Sequence, residues 1–133
     1  MHEWSLAQAV VKAALDYASE KNIKEITGVT VSLGELQSID RECFDFALKE
    51  IAEQMGFNPE FKVEVVPAEF ECRSCARLWK YDEDKKRLGE DEQEMIHFLP
   101  EAARVYVSCP GCGSRDFRVK EGRGVLLTAV EGG

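Results

Sequence analysis

Two short cysteine turns constrain this chain more than anything else in it: FECRSC, with Cys72 and Cys75, and SCPGCGS, with Cys109 and Cys112. Each C-x-x-C places two thiolates on one tight turn where a single ion can take both, and a second turn completes a tetrahedral shell of four sulfurs. Pro110 stiffens the second turn, while Gly111 and Gly113 allow backbone conformations that aim N–H groups at sulfur. The pattern is a zinc-ribbon signature. An iron centre of rubredoxin type is the rival ion, since CPGCG suits either. With four protein ligands the ion has no open position for catalysis.

The rest of the chain supplies what such a ribbon hangs from. Apolar residues recur at helical spacing from Trp4 to Lys21 (Trp4, Ala7, Val11, Ala14, Leu15, Ala18), with Asn22 as the stop. KEITGVTVSLGEL then alternates, Val29, Val31 and Leu33 on one side and Thr30 and Ser32 on the other, which predicts a half-buried strand. Ser38 or Asp40 can cap a second helix whose stripe is Phe44, Ala47, Leu48, Ile51 and Met55, ended by Gly56 and Asn58-Pro59. FKVEVV (61–66) is a second strand closed by Pro67, and VLLTAV (125–130) is the third that pairs with these two. The expected fold class is therefore α+β: two helices on a small three-stranded sheet, residues 1–68 with 121–133, carrying an inserted zinc-ribbon domain, 69–120.

Between the knuckles lie 33 residues, with YDEDKKRLGEDEQEMIHFLPEAAR in the middle. They read as a charged, solvated excursion with one short helix. Doubling a flexible loop from about 16 residues to this length costs only ~0.6 kcal/mol of closure entropy, so the fold tolerates it. A mini-domain of about fifty residues has little core of its own, so structural zinc, worth on the order of 10–16 kcal/mol, would hold it folded. The fifth cysteine, Cys43, lies beside the stripe of the second helix and reads as a small core residue rather than a nucleophile.

Composition narrows the function. Lys+Arg is 17 against Asp+Glu 25, a net charge of -8, which repels a phosphate backbone and disfavours a ribbon acting on nucleic acid or in a transcription complex. LAQAVVKAAL follows Glu3 rather than a basic segment and is broken by Gln8 and Lys12, so neither a secretory signal nor a membrane span is expected and the chain reads as cytoplasmic. In such a chain five cysteines are metal ligands or thiols rather than a disulfide framework. No phosphate-binding glycine loop and no histidine beside a nucleophile point to an enzyme.

The chain has two histidines, His2 and His97. The Met1 amine, the His2 amide nitrogen and His2 Nδ1 can chelate one ion through a five-membered and a six-membered ring, a planar set that suits Ni(II) or Cu(II) far better than zinc. A fourth corner is open to a group of Glu3 or to His97. A terminus that merely reads MHE, and a packed helix histidine at 97, are the bland alternatives.

MHEWSLAQAV at the N-terminus, VTVSLGELQSIDRECFDFAL, and the knuckles CRSC and CPGCGS together resemble the HypA/HybF family of hydrogenase maturation factors. The resemblance spans nearly the whole chain apart from roughly residues 80–104, and the long segment between the knuckles is similar to the archaeal form of the family. It implies a nickel metallochaperone with a nickel-binding domain and a zinc domain. It places nickel on Met1, His2 and Glu3, with His97 as a further ligand, and structural zinc on Cys72, Cys75, Cys109 and Cys112. The implied partners are a HypB-type GTPase and the large subunit of [NiFe] hydrogenase, with urease served in some bacteria. The state expected is a monomer or a homodimer, and a domain hung from two strands on flexible connections can exchange between protomers.

Overall fold

The computed structural model describes residues 3–37, 39–99 and 102–133, with the backbone alone at position 97. In chain order the elements are α1 (Glu3–Glu20), β1 (Ile26–Gly34), a single 3-10 turn (Glu35–Gln37), α2 (Arg41–Gln54), β2 (Glu60–Val66), β3 (Glu69–Cys72), β4 (Leu78–Lys80), α3 (Tyr81–Lys85), α4 (Glu90–Phe98), α5 (Ala103–Tyr106), β5 (Phe117–Glu121) and β6 (Val125–Gly132). They form two compact units, one of residues 3–32, 39–64 and 125–133, the other of 33–37, 65–99 and 102–124.

The first unit is a three-stranded sheet in the order β2-β1-β6, covered by α1 and α2. The alternation in β1 is as expected: Val29, Val31 and Leu33 are buried, the first two in one core with Ala7, Val10, Val11 and Ala14 of α1 and Phe44, Ala47, Leu48 and Ile51 of α2. Both helices end in the same left-handed stop. Asn22 (φ 58) closes α1 while the amides of Asn22 and Ile23 turn back to the carbonyls of Ser19 and Ala18. Gly56 (φ 91) closes α2 with the matching pair onto Glu53 and Ala52. The expected stripes are too wide by one residue at each exposed end, since Trp4 is 48% and Met55 56% exposed. Trp4 lies in the first helical turn, ahead of the first buried side chain, and Met55 is the C-cap of α2.

The second unit has its own sheet, β4-β3-β5, antiparallel throughout, with Phe70 opposite Trp79 on one side and Val119 on the other. Phe70, Trp79 and Phe117 pack with centroids 5.0–5.5 Å apart, and Tyr81 meets Phe70 edge-on at 5.9 Å. Such pairs add about 0.5–1.5 kcal/mol each beyond area burial. Leu36, Ala68, Ile96, Ala103 and Val107 complete this core. The segment between the knuckles is therefore not a solvated excursion: among the described residues it forms three short helices, and Tyr81, Ile96 and Ala103 are buried anchors. One of its charges turns inward. Asp84, 4% exposed, accepts from Trp79 Nε1 at 2.8 Å and pairs with Arg87.

Residues 33–37 enter this second unit through tight backbone contacts. A Cβ on Gly34 would lie 2.4 Å from the Gly122 carbonyl, and one on Gly122 would lie 2.3 Å from Ala68 Cα, so only glycine permits the crossing. The Glu35 carboxylate accepts from the Ala68 amide at 2.7 Å and from Lys85 Nζ at 2.6 Å.

Candidate metal centre

The two knuckles are copies of one backbone turn. In the first, which follows β3, the Ala76 amide bonds the Cys72 carbonyl at 3.0 Å and the Cys72 amide bonds the Arg77 carbonyl at 2.9 Å. In the second, the Gly113 amide bonds the Cys109 carbonyl and the Cys109 amide bonds the Ser114 carbonyl, both at 2.8 Å. The residue after each second cysteine is left-handed, Gly113 at φ 75 and Ala76 at φ 64. Ser74 Oγ and Ser114 Oγ, 3.2 Å apart, and the Arg73 amide on the Asp116 carbonyl at 2.9 Å stitch one turn to the other.

This folding brings the four sulfurs of Cys72, Cys75, Cys109 and Cys112 within 4.8 Å of one another. Cys72 and Cys112 are 3.6 Å apart, as are Cys75 and Cys109, and all are free thiols. A disulfide needs about 2.05 Å. A tetrahedron with metal–sulfur bonds of about 2.3 Å has edges near 3.8 Å, close to these contacts. Cys72 and Cys109 are buried, and Cys75 and Cys112 face solvent.

Their protons are shared in pairs. For Cys109, burial works against ionisation, yet the amides of Cys112 and Gly111 and the neighbouring thiols bring it down to about 6. For Cys75, the Arg77 amide favours the thiolate, but the Cys109 thiol, burial and the other two sulfurs push it up to about 11. Cys72 is lowered, chiefly by the Cys75 amide, while Cys112 is raised, the Cys72 thiol and burial outweighing the Ser114 amide. Each short sulfur contact thus joins one thiolate-prone and one proton-holding cysteine, and a divalent ion would take the place of both shared protons. Four soft donors in a closed tetrahedral shell fit zinc, which when bound cross-links the two turns. The Gly111 amide donates to Cys109 Sγ at 3.4 Å, and Arg77 Cδ lies 3.0 Å from where a Cβ on Gly111 would sit, so a side chain there requires the Arg77 side chain to give way.

Of the nickel-site candidates, Met1 and His2 lie outside the described residues, as does the side chain of His97. His97 belongs to α4, next to the fully buried Ile96. Glu3 is the first residue of α1, and its Oε1 accepts from the Asp40 amide at 3.1 Å. Asp40, one of the two expected caps, is the N-cap of α2, its carboxylate accepting from the Cys43 amide at 3.1 Å. Cys43 is exposed, which overturns the core reading: it sits in the first turn of α2, off the buried face of Phe44, Ala47 and Leu48. Its thiol is raised by the Asp40 carboxylate first, then by desolvation, so it is not an activated nucleophile. The link between Glu3 and Asp40 had no signal in the sequence, because it joins two helices through a backbone amide.

The sequence model of one protein family, described as "Hydrogenase/urease nickel incorporation, metallochaperone, hypA", matches residues 1–132. Similar chains include the hydrogenase maturation factor HypA of Pyrococcus abyssi, 45% identical over 98% of this chain and 95% of that one, and of Methanothermobacter thermautotrophicus, 33% identical over 92% and 89%. Among solved structures, the Ni metallochaperone HypA from Helicobacter pylori superposes with a TM-score of 0.65 at 20% identity, covering 99% of this chain and 97% of that one. That likeness is one of fold. Among the described residues, no helix is long and apolar enough to cross a membrane.

Proposed function

Because the chain belongs to the HypA family of hydrogenase and urease nickel-incorporation metallochaperones, we propose that it captures Ni(II) at its N-terminal end and hands it on for [NiFe] hydrogenase maturation. The observation that carries the reading is the match of the family across 132 residues of a chain that also gathers four cysteines into one shell. Zinc in that shell, on Cys72, Cys75, Cys109 and Cys112, is structural. The nickel set is the Met1 amine with the amide and imidazole of His2, completed by a group of Glu3 or by the His97 imidazole. The nickel-binding domain is assigned to residues 1–68 with 121–133 and the zinc domain to 69–120, with 33–37, 65–68 and 121–124 packed into the unit that carries the cysteines. A HypB-type GTPase and the hydrogenase large subunit are the partners, in the cytoplasm. No substrate is chemically changed.

Capture and release follow from the donor set. Protons compete for an α-amine near pKa 8 and an imidazole near 6.5, so nickel affinity falls steeply from about pH 7.5 to 6. One exchangeable corner leaves a path for an incoming ligand. The test is equilibrium nickel binding to the zinc-loaded protein, to His2→Ala, to His97→Ala and to a form extended before Met1. His2→Ala and the extended form should lose nickel and keep zinc. Equal affinity at both pH values, or undiminished binding to the extended form, refutes the assignment.

A further inference from the structure

In a helix capping box the third residue of the helix reaches back to accept the N-cap amide. In α2 that position is Cys43, which has no carboxylate to offer, and the Asp40 amide is accepted instead by Glu3 of α1. The box is thus split between two helices: Asp40 Oδ1 holds the Cys43 amide, and Glu3 Oε1 holds the Asp40 amide, each at 3.1 Å. Apolar packing between the helices begins only later along α1. Trp4 is exposed, Leu6 is half-buried, and Ala7 is the first fully buried side chain. At the first residue of α1, ahead of Leu6 and Ala7, the Glu3 carboxylate therefore ties the helix to the N-cap of the other helix.

We propose that Glu3 is a positioning residue for nickel capture, its carboxylate anchoring the terminus to the N-cap of α2 instead of ligating the ion. The inference rests on the N-terminal chelate put forward above. A chelate formed by the two residues preceding Glu3 is presented by whatever holds Glu3. When the anchor is cut, one more residue must be ordered at the moment of binding, which weakens affinity by about tenfold.

The experiment measures nickel affinity, the ligand-field absorption of the nickel complex and the thermal midpoint on the zinc-loaded full chain. Glu3→Ala should weaken nickel binding about tenfold with the absorption bands unmoved. Glu3→Gln, which keeps an accepting oxygen, should recover most of that loss. Glu3→Ala combined with Cys43→Glu rebuilds the capping box within α2, so it should restore the thermal midpoint and leave nickel binding weak. Bands that shift in both Glu3→Ala and Glu3→Gln would make the carboxylate a ligand and overturn the proposal. So would nickel affinity that returns together with stability in the double variant. A protein sensitive to His2→Ala but indifferent to Glu3→Ala overturns the positioning role alone. One indifferent to both overturns the N-terminal site beneath it.

Discussion

Tyr81→Phe should leave the protein at least as stable at neutral pH and should flatten its loss of stability in alkali. The Tyr81 side chain is fully buried in the second core, edge-on to Phe70, and among the described residues its hydroxyl has no hydrogen-bond partner. Burial, reinforced by the Glu35 and Asp84 carboxylates, pushes the phenol up to about 12 from its ordinary value of 10. The unfolded chain then loses this proton first. Between pH 10 and 12 the native state binds more protons than the unfolded state, so stability present below pH 10 is lost as pH rises. At pH 11 the difference is about 1.4 kcal/mol, approaching about 2.7 kcal/mol above pH 12. Phenylalanine keeps the ring and removes the unpaired hydroxyl, a change worth between zero and about 1 kcal/mol in its favour at pH 7. Urea unfolding of both zinc-loaded proteins at pH 8, 9, 10 and 11, followed by tryptophan fluorescence, subtracts the titration of every other group. Wild type should fall relative to the variant by about 1.4 kcal/mol at pH 11. Parallel curves, or a variant destabilised by 2 kcal/mol or so at pH 7, would show that the hydroxyl is hydrogen-bonded and would refute the reasoning.

Other outcomes are as sharply defined. Ala76 occupies a left-handed turn position at φ 64 where the second knuckle has Gly113 at φ 75, so Ala76→Gly should raise the thermal midpoint, by about 1 kcal/mol in stability, while Gly113→Ala should lower it by a similar amount. Zinc binding at pH 8 should release protons, above all those held by the raised thiols Cys75 and Cys112, and affinity should fall as pH falls; calorimetry in two buffers of different ionisation enthalpy measures the release. Asp84→Ala leaves the Trp79 indole N–H without its buried acceptor, while the exposed Arg87 guanidinium turns to water, and should cost about 1–3 kcal/mol in chemical denaturation, with zinc content unchanged in the folded fraction.

The first unit was legible because its signals are local. Val29, Val31 and Leu33 alternate within one strand, Phe44 to Ile51 recur on one helix face, and Asn22 and Gly56 mark stops by conformational preference alone. The four sulfurs were legible for a similar reason, since C-x-x-C fixes each pair within one turn. The second core was not, because its members are far apart in sequence and interrupted by charge. Leu36 joins Ile96 and Phe70 joins Phe117, while Asp84 is a charged residue that serves as an internal acceptor. No periodicity reports such contacts. Cys43 was misplaced because flanking a stripe and facing the core differ by a single step around the helix. In the first turn of α2 that step turns the Cys43 side chain from the core to solvent.

The two proposed metal sites differ in how firmly the fold holds their donors, and the difference matches what each ion has to do. Every cysteine of the quartet sits on a turn whose backbone is closed by hydrogen bonds of 2.8–3.0 Å, with further bonds between the turns and an aromatic core beneath them. Donors held so rigidly keep their spacing without the ion, and an ion that meets a complete soft shell has no corner by which to leave. The terminal site is the reverse. Its proposed donors Met1 and His2 precede Glu3, the first residue of α1, whose carboxylate accepts from the Asp40 amide. A chelate of this kind gains affinity from ring closure, so protonation of the amine or imidazole, or one competing ligand, suffices to open it. If Glu3 is the anchor, its bond to the Asp40 amide contributes to the balance between capture and release, and altering that bond would change nickel affinity without touching the ligand set.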